Sequence, residues 1–194
     1  MPVLQKEIEI TPLRLEGALL IRPSRFEDER GLFLKQYTRQ LLAARGLRAE
    51  FSEQFMTTSK AGVVRGLHYQ RGDAAQAKLV WCASGEVFDV IVDLRKSSPT
   101  YGQWEGVGLN GRELSALYIP RGFAHGFLAL KECRMIYQMD NDYSGADERG
   151  ILYNDKSLGI RWPLEQAGLK PVAQPVMSDK DRKWPSFADC EKFE

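Results

Sequence analysis

The chain has 194 residues with 27 basic and 26 acidic side chains, 43% hydrophobic and 27% charged, an ordinary globular balance that supports one domain over 1–194 with its own core. A formal net charge of +1 and the lack of a basic stripe argue against nucleic acid as a bulk partner. Cys82, Cys133 and Cys190 are widely spaced, fit neither a disulfide framework nor a zinc knuckle, and read as reduced thiols of a cytoplasmic protein.

Residues 1–10 carry charges where a signal peptide would need an apolar run, and no stretch approaches the roughly 18 apolar residues of a membrane span. The segment to about Arg22 reads as strands, a candidate for pairing with a partner subunit. Residues 38–45 predict a helix, with Thr38 as N-cap and Gly46 as its stop. Strand signals dominate the middle. Residues 78–83 and 86–94 are separated by Ser84-Gly85, a two-residue turn signal. In the second run Val87, Asp89, Ile91 and Asp93 alternate with Phe88, Val90, Val92 and Leu94, so one face is wholly apolar and the other mixed. Further strand-like runs cover 103–109, 114–119, 126–130 and 134–139, punctuated at Asn110-Gly111, Pro120-Arg121-Gly122 and Asn141-Asp142. Many short strands with Gly and Pro between them predict an all-β sandwich or jelly roll. After Asp155 the chain turns irregular, with Pro163, Pro171, Pro175 and Pro185, and reads as a C-terminal extension (156–194) packed on the barrel with one or two short helices.

Only two histidines are present, and each sits in a dense motif. His68 lies in Arg65-Gly66-Leu67-His68-Tyr69-Gln70, and His125 in Pro120-Arg121-Gly122-Phe123-Ala124-His125-Gly126-Phe127. Histidine is the side chain best poised for proton transfer near neutral pH. A strand-borne His68 flanked by Arg65 and Gln70 suits the mouth of a barrel, against the bland alternative of a core histidine satisfied by one hydrogen bond. The Pro-x-Gly-x-x-His spacing is that of the second half-motif of the cupin barrels, whose histidine often binds metal. The first half-motif would supply His-x-His, yet position 70 is Gln70. A transition-metal site needs about three protein ligands, so no metal is expected. Lys78 is an anion holder if it faces the interior and a solvated strand end otherwise. Taken singly, Tyr143 is a packing loop aromatic and Asp181 part of a solvated charged patch.

Together these residues resemble one family. The two histidine motifs, Gln76-Ala77-Lys78-Leu79-Val80, Gly85-Glu86-Val87-Phe88-Asp89-Val90, Ser98-Pro99-Thr100-Tyr101-Gly102-Gln103-Trp104 and Leu158-Gly159-Ile160-Arg161-Trp162-Pro163 resemble the signature of the dTDP-4-dehydrorhamnose 3,5-epimerases, from about Arg22 to Asp181. The joint spacing is specific where any single motif is weak. The resemblance implies a cupin-like jelly-roll barrel, a homodimer, no cofactor, and epimerisation of a nucleotide-linked 4-keto-6-deoxy sugar at the two carbons beside the ketone. It implies His68 as general base oriented by Asp181, Lys78 near the keto oxygen and Tyr143 as general acid. It also implies Arg30, Arg65, His125, Glu148 and Lys180 as substrate-lining residues.

The chain departs from the family in two places. Asp28-Glu29-Arg30-Gly31-Leu32-Phe33-Leu34 ends in Lys35 where the family has an acid, and the usual Gln-x-Asn is replaced by Glu53-Gln54-Phe55. Phe55 cannot make the hydrogen bonds of an amide. The polar Gln-x-Asn positions help hold the thymine in the family, so the resemblance implies an altered nucleobase pocket at Phe55, with dTDP as first carrier and GDP or CDP open. Lys35 counts among the substrate-lining positions without an assigned role. An epimerase acting at one carbon only, a metal-dependent cupin enzyme and a silent sugar-binding barrel are the competing readings.

Overall fold

In the computed structural model, which describes residues 7–48, 50–169 and 174–194, the alternating apolar runs pair into two facing antiparallel sheets and one hairpin. In spatial order the first sheet holds β1 (Glu9–Pro12), β2 (Leu19–Arg22), β10 (Ala116–Ile119), β7 (Lys78–Ser84), β12 (Cys133–Met139) and β5 (Glu53–Ser59). The second holds β13 (Glu148–Gly150), β6 (Val64–Gln70), β11 (Phe123–Ala129), β8 (Glu86–Asp93) and β9 (Trp104–Asn110). The hairpin is β3 (Ser24–Asp28) with β4 (Gly31–Lys35). This is the expected all-β jelly roll. Residues 1–6 of the expected N-terminal strands, and Pro171 of the Pro-rich tail, lie outside the described residues.

Every second side chain of the facing strands points between the sheets. Val80 and Cys82 of β7, Val87 and Ile91 of β8, Phe123 and Phe127 of β11 and Met135 and Tyr137 of β12 meet there in one buried cluster. Each large side chain so buried contributes about 1.5–3 kcal/mol. The outer face of the second sheet is also covered. Leu67, Tyr69, Val90, Val92 and Ala124 pack under Leu158, Phe187, Cys190 and Phe193 of the C-terminal extension. On β8 the wholly apolar face is thus the outer one, and the mixed face carrying Asp89 looks into the barrel.

Two expectations need correction. Ser84-Gly85 does turn the chain, but β7 and β8 do not pair as a hairpin, because the chain crosses from one sheet to the other there. Gly85 has φ +82°, and a Cβ on it would meet the Glu132 carbonyl oxygen at 2.0 Å. The run 114–119 forms strand only from Ala116, since Leu114 sits at φ 55°, outside extended geometry. As expected, the N-terminal segment forms strands: within the chain β1 pairs with β2 and β2 with β10, burying Ile21 completely, and β1 forms the edge of its sheet. The helix α1 (Arg39–Ala43) is one turn long, and Thr38 caps it by accepting the Leu41 N–H at 3.1 Å. The short helices of the tail are 3₁₀ turns at Leu164–Ala167 and Asp181–Lys183. Among the described residues no helix is long and apolar enough to cross a membrane.

Candidate active site

One end of the barrel opens into a cavity of about 550 Å³. On β6, Leu67 and Tyr69 pack in the outer cluster, and His68 and Gln70, which alternate with them, face in. On β11, Phe123 and Phe127 face inward, and His125 shares their side. The register of the two strands sets His125 directly opposite His68. That juxtaposition needs glycine, since a Cβ on Gly66 would meet Gly126 Cα at 2.6 Å and one on Gly126 would meet the Arg65 carbonyl at 2.6 Å. Gly-Leu-His and His-Gly are thus a matched pair of close approaches.

The C-terminal extension closes on this strand pair and delivers Asp181, whose Oδ1 lies 2.6 Å from His68 Nε2. Far from a solvated patch, Asp181 is 4% exposed. It also accepts from Trp184 Nε1 at 3.3 Å and the Gly66 N–H at 3.4 Å. Burial alone would raise its pKa, but the bond to and charge of His68, with the Gly66 and Ser178 bonds, hold it below the usual carboxylate range. Nε2 is engaged, so Nδ1 is the His68 nitrogen left to take a proton. The second pair is His125 Nε2 with Asp89, at 2.8 and 3.0 Å from its two oxygens. Burial pushes the Asp89 carboxyl up, opposed by His125 and Lys78.

Lys78 opens β7 and lines the same cavity. Burial lowers its ammonium pKa to about 8, against the charges of Glu148 and Asp89, which raise it. Tyr143, on the loop after β12, is 55% exposed and donates its phenol proton toward Glu148 Oε2 at 2.6 Å. That bond raises the phenol pKa above its ordinary value, so Tyr143 is protonated at neutral pH. Lys180 also binds Glu148 Oε2. Burial would raise the Glu148 carboxyl, yet Lys180, Tyr143 and the charge of His68 bring it below its ordinary value. Arg65 reaches Ser59 Oγ at 2.9 Å and the Thr58 carbonyl at 3.2 Å. Phe55 stacks on Tyr137, centroids 4.6 Å apart and planes at 25°, at the cavity wall.

Ten of the twelve sequence-derived site residues line this one cavity: His68, Lys78, Tyr143, Asp181, Arg65, Gln70, His125, Glu148, Lys180 and Phe55. Arg30 and Lys35 do not. Arg30 sits at the hairpin turn, paired with its neighbour Asp28 at 2.6 Å, and Lys35 ends β4. Sequence reasoning missed Asp89 and Tyr137. The signal for Asp89 was an acid alternating into an apolar strand. Among the described residues no three His, Cys, Asp or Glu side chains are grouped to hold a metal.

A jelly roll whose open end gathers a His–carboxylate pair, a desolvated lysine and a protonated tyrosine is the architecture of a proton-transfer isomerase. The sequence profile of the dTDP-4-dehydrorhamnose 3,5-epimerases matches residues 12–189. The epimerase of that description from Shigella flexneri is 43% identical, over 96% of this chain and 99% of its own. The crystal structure of the Elizabethkingia anophelis epimerase superposes with a TM-score of 0.87 at 39% identity, covering 94% of this chain and 97% of that one. A Legionella pneumophila dTDP-6-deoxy-D-glucose-3,5-epimerase, solved with dTDP-4-keto-L-rhamnose, gives a TM-score of 0.84 at 36% identity over 93% of each chain. The chain belongs to the dTDP-4-dehydrorhamnose 3,5-epimerase family.

Proposed function

We propose that the protein epimerises a nucleotide-linked 4-keto-6-deoxy sugar at both carbons beside the ketone, through an enolate and without a cofactor. The observation that carries this reading is the convergence of the His68–Asp181 pair, Lys78 and Tyr143 on one cavity. A C–H beside a ketone is acidic because its electron pair can move onto the carbonyl oxygen. His68 Nδ1 takes the proton, and Asp181 holds the ring and stabilises the imidazolium. The Lys78 ammonium holds the enolate oxygen. Tyr143 returns a proton to carbon from the opposite side, after which solvent reprotonates the phenolate and takes the proton from the imidazolium. General-base catalysis of this kind contributes about 10²–10⁴-fold.

Arg65, Gln70, His125, Glu148 and Lys180 bind substrate in this scheme. Arg65 presents a planar fork suited to a diphosphate. dTDP is the proposed carrier, supported by family membership and the dTDP-sugar complex of the Legionella relative. The Phe55–Tyr137 stack offers a flat aromatic face in place of an amide. A homodimer accounts for the β3–β4 hairpin, which exposes Phe26, Leu32 and Phe33. Arg30 and Lys35 on that hairpin contact substrate only where it reaches the cavity of a second copy. Three buried free thiols accord with a cytoplasmic setting.

The test is conversion of dTDP-4-keto-6-deoxyglucose, followed by NMR, beside the GDP- and CDP-linked sugars. Inversion at both carbons with dTDP preferred is the expected result. Inversion at one carbon makes the protein a mono-epimerase, preference for GDP or CDP shifts the carrier, and no conversion of any of the three defeats the reading.

A further inference from the structure

Glu53 and Tyr143 meet at the rim of the cavity. β5 is an edge strand beside β12, and its register sets Glu53 opposite Met139, the last residue of β12. The chain leaving β12 therefore passes over Glu53 on its way to Tyr143. Glu53 Oε2 accepts the Tyr143 backbone N–H at 2.7 Å. The next amide, Ser144 N–H, is taken by Gln70 Oε1 of β6 at 3.2 Å. Two consecutive amides are thus tied down, one by each sheet. A carboxylate acceptor makes the first of these a charge-assisted bond, roughly twice as strong as a neutral one. The phenol ring is half-exposed, so packing alone does not fix it. Phe55 and Thr57, on the same face of β5, line the cavity.

We propose that Glu53 is a positioning residue, which holds the Tyr143 loop so that the phenol meets the reacting carbon from the side opposite His68. This rests on the epimerase reading above. Removal of the proton by His68 does not need Glu53, whereas inversion does. With Tyr143 displaced, the imidazolium exchanges its proton with solvent and then returns one to the enolate. The C–H bond reforms on the original face, carrying solvent hydrogen, and the sugar is labelled without being inverted. The ratio of exchange to inversion therefore reports on proton delivery by Tyr143, and its change in a Glu53 variant reports on the positioning that Glu53 supplies.

The experiment compares wild type, Glu53→Ala and Glu53→Gln in deuterated water with dTDP-4-keto-6-deoxyglucose, reading label in recovered substrate and in inverted product. Small misplacements of a reacting group cost up to about 10²-fold, so inversion by Glu53→Ala is expected to fall about 10- to 100-fold while label still enters recovered substrate. Glu53→Gln keeps an acceptor oxygen and is expected to restore most of the inversion. Substrate-free amide exchange of Tyr143 gives a second readout, expected to be about tenfold faster in Glu53→Ala and near wild type in Glu53→Gln. Unchanged Tyr143 protection in Glu53→Ala would overturn the proposal, as would exchange and inversion falling by one common factor. A wild type that labels neither carbon would defeat the epimerase reading itself, and the role of Glu53 in it. A labelled wild type with an unaltered Glu53→Ala would defeat the Glu53 role alone.

Discussion

Two histidine–carboxylate pairs face one cavity from opposite positions on paired strands, and their surroundings differ. In His68–Asp181 the histidine side chain is 30% exposed, whereas in His125–Asp89 the two side chains are 4% and 0% exposed. Asp181 is held below its usual pKa by its partner and backbone donors, while burial drives Asp89 above it. The first pair has a carboxylate that stays ionised and a ring nitrogen open to the cavity. The second has its carboxylate sealed in the barrel interior, where it also lies within electrostatic reach of Lys78. The same two residue types thus make an accessible ring, the proposed base, in one place and a buried wall in the other, and access separates them.

Substitutions at the first pair should break this contrast most sharply. His68→Asn removes the base and is expected to lower turnover by about 10²–10⁴-fold or more, measured as epimerisation at saturating substrate. Asp181→Asn leaves the shape intact but removes the charge that stabilises the imidazolium. A comparable change in a serine protease triad costs about 10⁴, and a loss approaching this is expected here, read in the same assay. By contrast, His125→Asn should spare proton abstraction and act on binding and stability. It weakens the partner of a buried carboxyl at a cost of about 1–3 kcal/mol, or roughly 2–4 °C of melting temperature per kcal/mol in a chain of this size, checked by thermal denaturation. Equal loss of proton exchange at the two histidines would erase the distinction.

Lys78 comes next in size. Lys78→Met is expected to cost about 10²–10³ in kcat, as for other lost oxyanion donors. Its folded pKa is lowered to about 8, so the ammonium is present below that pH and lost above it. The pH profile should fall on its alkaline side near pH 8, and Lys78→Arg, which stays charged, should move that limb upward. The smallest effect on proton removal belongs to Tyr143→Phe. Exchange should persist while inversion at the carbon that the phenol serves is lost, which NMR of the product stereochemistry checks.

The alternation of Val87, Asp89, Ile91 and Asp93 with an apolar face was enough to find β8, and the two histidine motifs were enough to find the cavity strands. What local pattern could not supply was tertiary. Asp181 stands 113 residues beyond His68 in the chain, in a stretch whose charged neighbours look like solvated surface, and only the docking of the extension on β6 buries it. Ser84-Gly85 marked a turn, but a turn signal does not say which sheet the next strand joins. Arg30 matched a family motif, yet its hairpin stands away from the single-chain cavity. Motif identity fixes chemistry at a position without fixing where that position sits.

The most direct test of the central claim is deuterium incorporation at the two carbons flanking the ketone of dTDP-4-keto-6-deoxyglucose, in wild type and in His68→Asn. Label entering both carbons with wild type and neither with His68→Asn is the expected result. Label entering both carbons at the same rate in the two proteins would contradict His68 as the base.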